Sequence, residues 1–154
     1  MKFNYEVEYE LEQGNNNNVI IIRAAPGAGK STLAKHLSSE IKHNSEVFEA
    51  DQYFYQSGTY DFDPSKLYQA HANCQDRFRK FLSSNSTKKT AIVANTNIKA
   101  KEMEVYVDYA LKNGFNLKVI MVKSQFKSIH NVPDEVVQRM RDNLQPFDIN
   151  NYRK

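Results

Sequence analysis

Val19-Ile20-Ile21-Ile22-Arg23-Ala24-Ala25-Pro26-Gly27-Ala28-Gly29-Lys30-Ser31-Thr32 is the stretch on which the fold turns. Its first four residues are β-branched without a break. Such a run reads as a strand buried on both faces, at the centre of a parallel sheet. Gly27 and Gly29 let the backbone curl so that its N–H groups point inward at an anion. Behind them Leu33, Leu37 and Ile41 recur at helical spacing between Ser31 and Lys42. Strand, glycine-rich turn and helix N-terminus together form the context of a phosphate-binding loop. Lys30 is then expected to reach the β- and γ-phosphates of ATP or another nucleoside triphosphate. Ser31 offers its hydroxyl to the Mg²⁺ carried by the nucleotide, and Thr32 donates to the α-phosphate. Pro26, Gly27, Ala28 and Gly29 complete the cradle. Ala24 stands where this pattern usually begins with glycine, which is tolerated if its φ is negative.

Outward from this stretch, strands and helices alternate. Val47 to Ala50 reads as a short strand. Asp63-Pro64 is an N-cap followed by proline at the first helical position. The helix it opens carries Leu67, Ala70, Cys74, Phe78 and Phe81 near one stripe. Ala91 to Ala94 is another buried strand. A helix over about 99–112 turns Met103, Tyr106, Val107, Ala110 and Leu111 inward and ends at Asn113-Gly114. Leu117 to Val122 is the last strand. Pro133-Asp134-Glu135 starts a final helix, and the tail from Asn150 reads as frayed. Alternating strands and helices imply an α/β three-layer sandwich, a mainly parallel sheet covered on both faces.

Upstream, Phe3, Tyr5, Val7, Tyr9 and Leu11 alternate with Glu6, Glu8 and Glu10. Period two predicts an edge strand buried on one side. Such an edge could also pair with another chain, giving self-association through residues 3–11. The asparagine-rich turn that follows separates an N-terminal segment, 1–18, from a nucleotide-binding domain, 19–154.

The length of 154 residues suits one domain. Cys74 is the one cysteine, so no internal disulfide or multi-cysteine zinc site is open to the chain, and a reduced, cytoplasmic setting is expected. No apolar run is long enough to span a bilayer. The net charge is +3, but residues 1–12 hold one lysine and four glutamates. The basic excess therefore lies on the domain that follows, which permits a polyanionic partner.

A phosphate loop does not name a reaction; the acceptor side must supply a base. Asp51 follows the Val47–Ala50 strand, and carboxyl ends of parallel strands line the ligand crevice. It is the candidate to orient an acceptor hydroxyl and take its proton. Thr96 and Asn97 end the next strand and are expected to face the same cleft, to hold the Asp51 loop, contact substrate or form a turn. Tyr53, Phe54, Tyr55, Tyr60 and Phe62 cluster beside Asp51. They read as a packed loop or as a stacking platform for an acceptor base, with Tyr53 the candidate contact. His71 and Cys74, one helical turn apart, read as a core-facing or hydrogen-bond-satisfied pair rather than metal ligands.

The runs AAPGAGKSTLAKHL, EADQYFY, YDFDPSKLYQAHANCQDRF, ANTN and SIHNVPDEVVQRM resemble, in this order, the polynucleotide-kinase-type P-loop kinases and related AAA-like ATP-binding domains. The resemblance covers about residues 19–147. It implies a P-loop NTPase, kinase-like fold. It implies ATP- and Mg²⁺-dependent phosphoryl transfer to a hydroxyl, above all the 5′-hydroxyl of a nucleic acid, with Asp51 as general base. A small-molecule kinase and a weakly catalytic nucleotide-binding module are the other functions it leaves open. Three departures stand out. Ala94 and Asn95 occupy positions where relatives carry an aspartate that orders metal-bound water. Lys123, Lys127 and His130 stand where relatives place arginines in a lid, and of these Lys127 is the candidate charge. The lid segment itself, 123–132, is short.

Overall fold

The computed structural model describes residues 4–25, 29–55, 58–83, 88–123, 135–136, 139 and 144–152. Five strands form one sheet. They are β1 (Tyr5–Leu11), β2 (Asn17–Arg23), β3 (Asn44–Phe48), β4 (Lys89–Ala94) and β5 (Asn116–Val122). Their spatial order is β1-β5-β2-β4-β3. The predicted run at 19–22 thus lies in the central strand. β2 pairs in parallel with both β4 and β5, β3 pairs in parallel with β4, and β1 is antiparallel to β5. The α/β three-layer expectation holds. Helix α1 (Lys30–Glu40) packs on one face, and α2 (Leu67–Ser83) and α3 (Ala100–Lys112) on the other.

The burial of β2 shows why its sequence is apolar throughout. Val19 and Ile21 enter the core under α2 and α3, with Phe48, Phe78, Tyr106 and Val119. Ile22 enters the core under α1, with Leu33, Ala34, Ile92 and Ile120, and Ile20 packs on its margin. Alternate side chains serve opposite layers, so neither set can be polar. Among the described residues, no helix is long and apolar enough to cross a membrane.

β1 departs from expectation. Its pairing with β5 shifts between Val7 and Tyr9, a bulge at Glu8. A bulge switches the parity of every later side chain. Tyr5 and Val7 pair with Val122 and Ile120, on the α1 face, where they remain 43% and 44% exposed. Tyr9 and Leu11 pair with Val119 and Leu117, on the opposite face, where they are half-buried. The single apolar stripe is therefore split between two faces. Glu8 turns inward to Arg23, which is fully buried; their side chains meet at 2.7 Å. The Arg23 guanidinium also donates to the carbonyls of Asn97, Ile98 and Gln145.

The tail is not frayed over its described part. Asp148 caps a 3₁₀ turn, Ile149–Asn151, by accepting from the Asn150 N–H. Tyr152 is buried, lies against Phe147 and donates to the Ala100 carbonyl at 2.7 Å. Phe147 N–H in turn donates to Glu8. The final helix predicted from Pro133 falls mostly outside the described residues.

Asp63 caps as expected. Its carboxylate accepts from the Ser65 N–H and hydroxyl at the start of a 3₁₀ turn, Pro64–Lys66, that runs into α2. These bonds hold its pKa below the usual carboxylate value. A depressed carboxylate contributes stability above its unfolded pKa and loses it as pH falls through the folded value. Asp63→Ala is therefore expected to lower the melting temperature at neutral pH. The difference from wild type should close as melts are taken to pH values below the carboxylate range.

Candidate functional site

β2, β3 and β4 all deliver their carboxyl ends to one side of the sheet, where open α/β sheets bind ligands. A cleft of about 160 Å³ opens there, lined by Lys30, Ser31, Glu49, Ala50, Asp51, Leu67, His71, Ala94, Asn95 and Thr96. A hollow of about 240 Å³ lies at the opposite, amino ends of the parallel strands, among residues such as Asn18, His43, Lys88, Thr90 and Asn116.

Gly29 sits at φ 88°, a left-handed conformation that glycine adopts without strain, and α1 begins at Lys30. Ala24 is fully buried, and its N–H donates to the Thr96 carbonyl. Among non-glycine described residues only Asn97 has positive φ, so alanine at position 24 carries no backbone strain. Pro26, Gly27 and Ala28 lie outside the described residues. Thr32 is exposed on the first turn of α1.

Lys30 and Ser31 are half-buried. Burial pulls the Lys30 pKa below its ordinary value, opposed by the Glu49 and Asp51 carboxylates. Glu49 also accepts a short hydrogen bond from the Ser31 hydroxyl. This carboxylate was not among the residues singled out from sequence. The signal lay in Glu49-Ala50-Asp51: two acids spaced by one residue at the end of a strand can both turn to one cleft.

Asp51 is half-buried in a 3₁₀ turn, Ala50–Tyr55, that leaves β3. Tyr60 hydrogen-bonds to it. Burial first, and the Asp51 charge second, push the Tyr60 phenol up to about 12, so it stays a donor at neutral pH. The backbone of the turn is clamped from three sides. Ala50 N–H donates to Asn95 Oδ1 at 2.8 Å. Gln52 accepts from the Glu49 N–H and donates to the Val47 carbonyl. Arg77, on α2, donates to the Gln52 side chain and to the Glu49 carbonyl. Asn95 and Arg77 are thus supports of the Asp51 loop that sequence alone did not assign.

Thr96 reaches the cleft, but Asn97 does not. Asn97 is 2% exposed with φ 50°, and its amide donates to the Ile22 and Asn95 carbonyls. It shapes the turn after β4, and the expectation that it faces the cleft is corrected. Tyr53 is also displaced from this cleft. It lines a neighbouring hollow with Phe54, Phe62 and Lys66. The aromatic cluster packs chiefly on itself: Phe54 is buried and meets Tyr53, Tyr60 and Phe62 edge-on. Tyr55 and Phe62 keep exposed faces.

His71 and Cys74 separate. Cys74 is fully buried, accepts from the Tyr106 hydroxyl and has its thiol pKa raised by burial. His71 is exposed and lines the cleft, so the core-facing pair reduces to its cysteine. Leu67, read as part of the buried stripe, is likewise exposed at the cleft, and Leu82 takes the inward place at the other end of α2. Lys123 is ion-paired with Glu6, and its N–H bonds to the Asn4 carbonyl beside β1. Lys127 and His130 lie outside the described residues. Among the described residues, no group of three or more His, Cys, Asp or Glu side chains is arranged to hold a metal.

A family profile described as AAA domain matches residues 19–131. Human NEDD4-binding protein 2 is 33% identical over 140 residues, which cover 84% of this chain but 8% of that protein. The chain therefore spans a small fraction of that relative's length. An uncharacterized protein of Pasteurella multocida (strain Pm70) is 30% identical over 131 residues, 79% of this chain and 73% of that one. In fold, the chain is similar to a mutant APS kinase of Mycobacterium tuberculosis, with a TM-score of 0.51 over 83% of this chain and 96% of that one, at 13% identity.

Proposed function

The chain belongs to the AAA-domain family of P-loop proteins, and from that premise we propose that it transfers the γ-phosphoryl group of ATP to a hydroxyl, the 5′-hydroxyl of a polynucleotide. The observation that carries this reading is the cleft itself. A lysine and a serine opening the helix after β2 face a carboxylate that follows β3, with β4 between the two strands. One half suits phosphate binding, and the other suits activation of an acceptor hydroxyl.

Lys30 would pair with the β- and γ-phosphates, and the loop N–H groups at Gly27 to Gly29 would cradle them. Thr32 would serve the α-phosphate. The donor set at the head of α1, a serine hydroxyl beside a carboxylate, is the hard-oxygen chemistry that Mg²⁺ takes, so Ser31 would hold it. When bound with the nucleotide, Mg²⁺ supplies charge neutralisation on the phosphates. Asp51 would accept the proton of the acceptor hydroxyl as its oxygen bonds to the γ-phosphorus. The bond to the β-phosphate oxygen breaks, and ADP leaves. Thr96 would border the acceptor.

A polynucleotide acceptor is favoured by the surface around the cleft. Tyr55, Phe62 and Tyr68 expose aromatic rings, Tyr68 at 86%, and bases stack on such faces. The basic excess outside the N-terminal strand suits a polyanion. The test is incubation with γ-labelled ATP, Mg²⁺ and 5′-hydroxyl DNA and RNA oligonucleotides. Label is expected on the oligonucleotide 5′ end. In Lys30→Ala, turnover should fall by at least about 10²-fold, because the group opposing the developing phosphate charge is gone. Transfer to free nucleosides or sugars but to no oligonucleotide would overturn the acceptor assignment.

A further inference from the structure

The hollow at the amino ends of the parallel strands takes no part in the proposed transfer. The strand register sets its floor. In one row Glu10 pairs with Lys118, and Lys118 with Ile20; in the next Asn116 pairs with Asn18, and Asn18 with Thr90. The second row spends its polar groups on itself. Asn116 donates to Asn18 at 2.9 Å, and Asn18 reaches the Thr90 hydroxyl at 3.4 Å. That hydroxyl shares a 2.7 Å hydrogen bond with His43 Nε2. What remains for a ligand is apolar surface at Ile20 and Ile41, and charge at the two sides.

Those charges are sorted. Glu10 and Glu12 stand on the β1 side, and His43 and Lys88 on the β4 side. Among the described residues, neither Glu12 nor Lys88 has an ion-pair partner. Lys118 lies between the two sides and meets Glu10 at 3.7 Å, with both side chains well exposed. A pair that long and that wet is weak, so a second ammonium can share Glu10. On the β4 side, burial and then the Lys88 charge hold the His43 pKa below its ordinary value. An anion seated between them would relieve that repulsion. β5 and β2 separate β1 from β4, which makes three strand spacings, about 14 Å. With about 3 Å for a contact at each end, the charges of a matching ligand lie about 8 Å apart. We propose that this hollow is a second ligand site, for a small zwitterion whose ammonium and carboxylate are joined by a largely apolar chain. The ammonium goes to Glu10 and Glu12, the chain lies over Ile20 and Ile41, and the carboxylate goes to Lys88 and His43.

The experiment is an NMR titration of the isotope-labelled full chain with 6-aminohexanoate. Hexanoate and hexylamine carry one charge each, and glycine carries both charges too close together. The Ile20, Thr90 and Lys118 amides are expected to shift saturably with 6-aminohexanoate. The three comparison compounds should bind at least about 5-fold more weakly, the scale of one exposed ion pair. K88A and E12Q should each lose a similar factor while their ATP affinity stays that of wild type. The His43 ring should titrate at higher pH when 6-aminohexanoate is bound, because the carboxylate favours the imidazolium. Trialanine, with a similar charge separation, distinguishes a short peptide from an ω-amino acid as the source of this chemistry by binding more or less tightly than 6-aminohexanoate. Equal binding of hexanoate or hexylamine, full affinity in both variants, or no saturable shift at these amides would overturn the inference. The proposed transfer would still stand, because its cleft lies at the other ends of the strands.

Discussion

In Asp51→Asn, phosphoryl transfer is expected to fall by about 10²–10⁴-fold while ATP affinity stays within a few-fold of wild type. That range is the usual contribution of a positioned general base. Asparagine keeps the size of the side chain and can still accept from Tyr60. It cannot take a proton from the acceptor hydroxyl. On the proposed reading nucleotide binding rests on Lys30 and the head of α1, and the substitution removes none of their side chains. A second readout comes from Tyr60. Its phenol is raised partly by the Asp51 charge. It should therefore titrate at lower pH in Asp51→Asn, measurable by ultraviolet absorbance. A rate unchanged in this variant would remove Asp51 from the reaction.

The largest stability effect is expected at the buried ion pair that ties β1 to the last residue of β2. Glu8→Ala should cost about 3–5 kcal/mol, because it strands the guanidinium of Arg23 with neutral carbonyls alone. Arg23 is fully buried and Glu8 is 9% exposed, so water cannot replace the lost charge. Small domains have roughly 5–15 kcal/mol in total, so this one pair decides a large share of the folded population. Glu8 also accepts from Phe147, and its loss should free the segment that carries Phe147 and Tyr152. Glu6→Ala is the control. Glu6 and Lys123 are about half exposed, and such a pair is worth about 0–1 kcal/mol. Urea denaturation of both variants measures the contrast. Equal losses would show that the buried pair has no special weight.

These two residues also show where the sequence was readable. The apolar run of β2, Gly29 before Lys30 and the Asp63-Pro64 cap depend on local chemistry, and each sits where expected. The edge strand was legible too, but its antiparallel pairing and its two-sided packing were not. Glu6, Glu8 and Glu10 look alike along the chain. Only the bulge opposite β5, and a buried arginine fifteen residues away, distinguish Glu8. The cleft follows the same division. Asp51 stood out by its place after a strand. Glu49 did not, because its partner Ser31 lies on another element. For Asn97 a cleft-facing role and a turn-forming role both stood open, because either suits a residue that follows a strand. Its positive φ turns the amide into the backbone of β2, which selects the turn-forming role, and no pattern in one sequence makes that choice. Tyr152 was taken for tail because its partners, Phe147 and the Ala100 carbonyl, show no periodicity around it.

The central claim is that one cleft holds both the donor phosphates and the acceptor hydroxyl. A crystal structure with a non-hydrolysable ATP analogue, Mg²⁺ and a short 5′-hydroxyl oligonucleotide tests it most directly. The γ-phosphate is predicted on Lys30, with the 5′-hydroxyl within about 2.6–3.2 Å of the Asp51 carboxylate. A γ-phosphate on Lys30 with the oligonucleotide end bound away from Asp51 would contradict the claim.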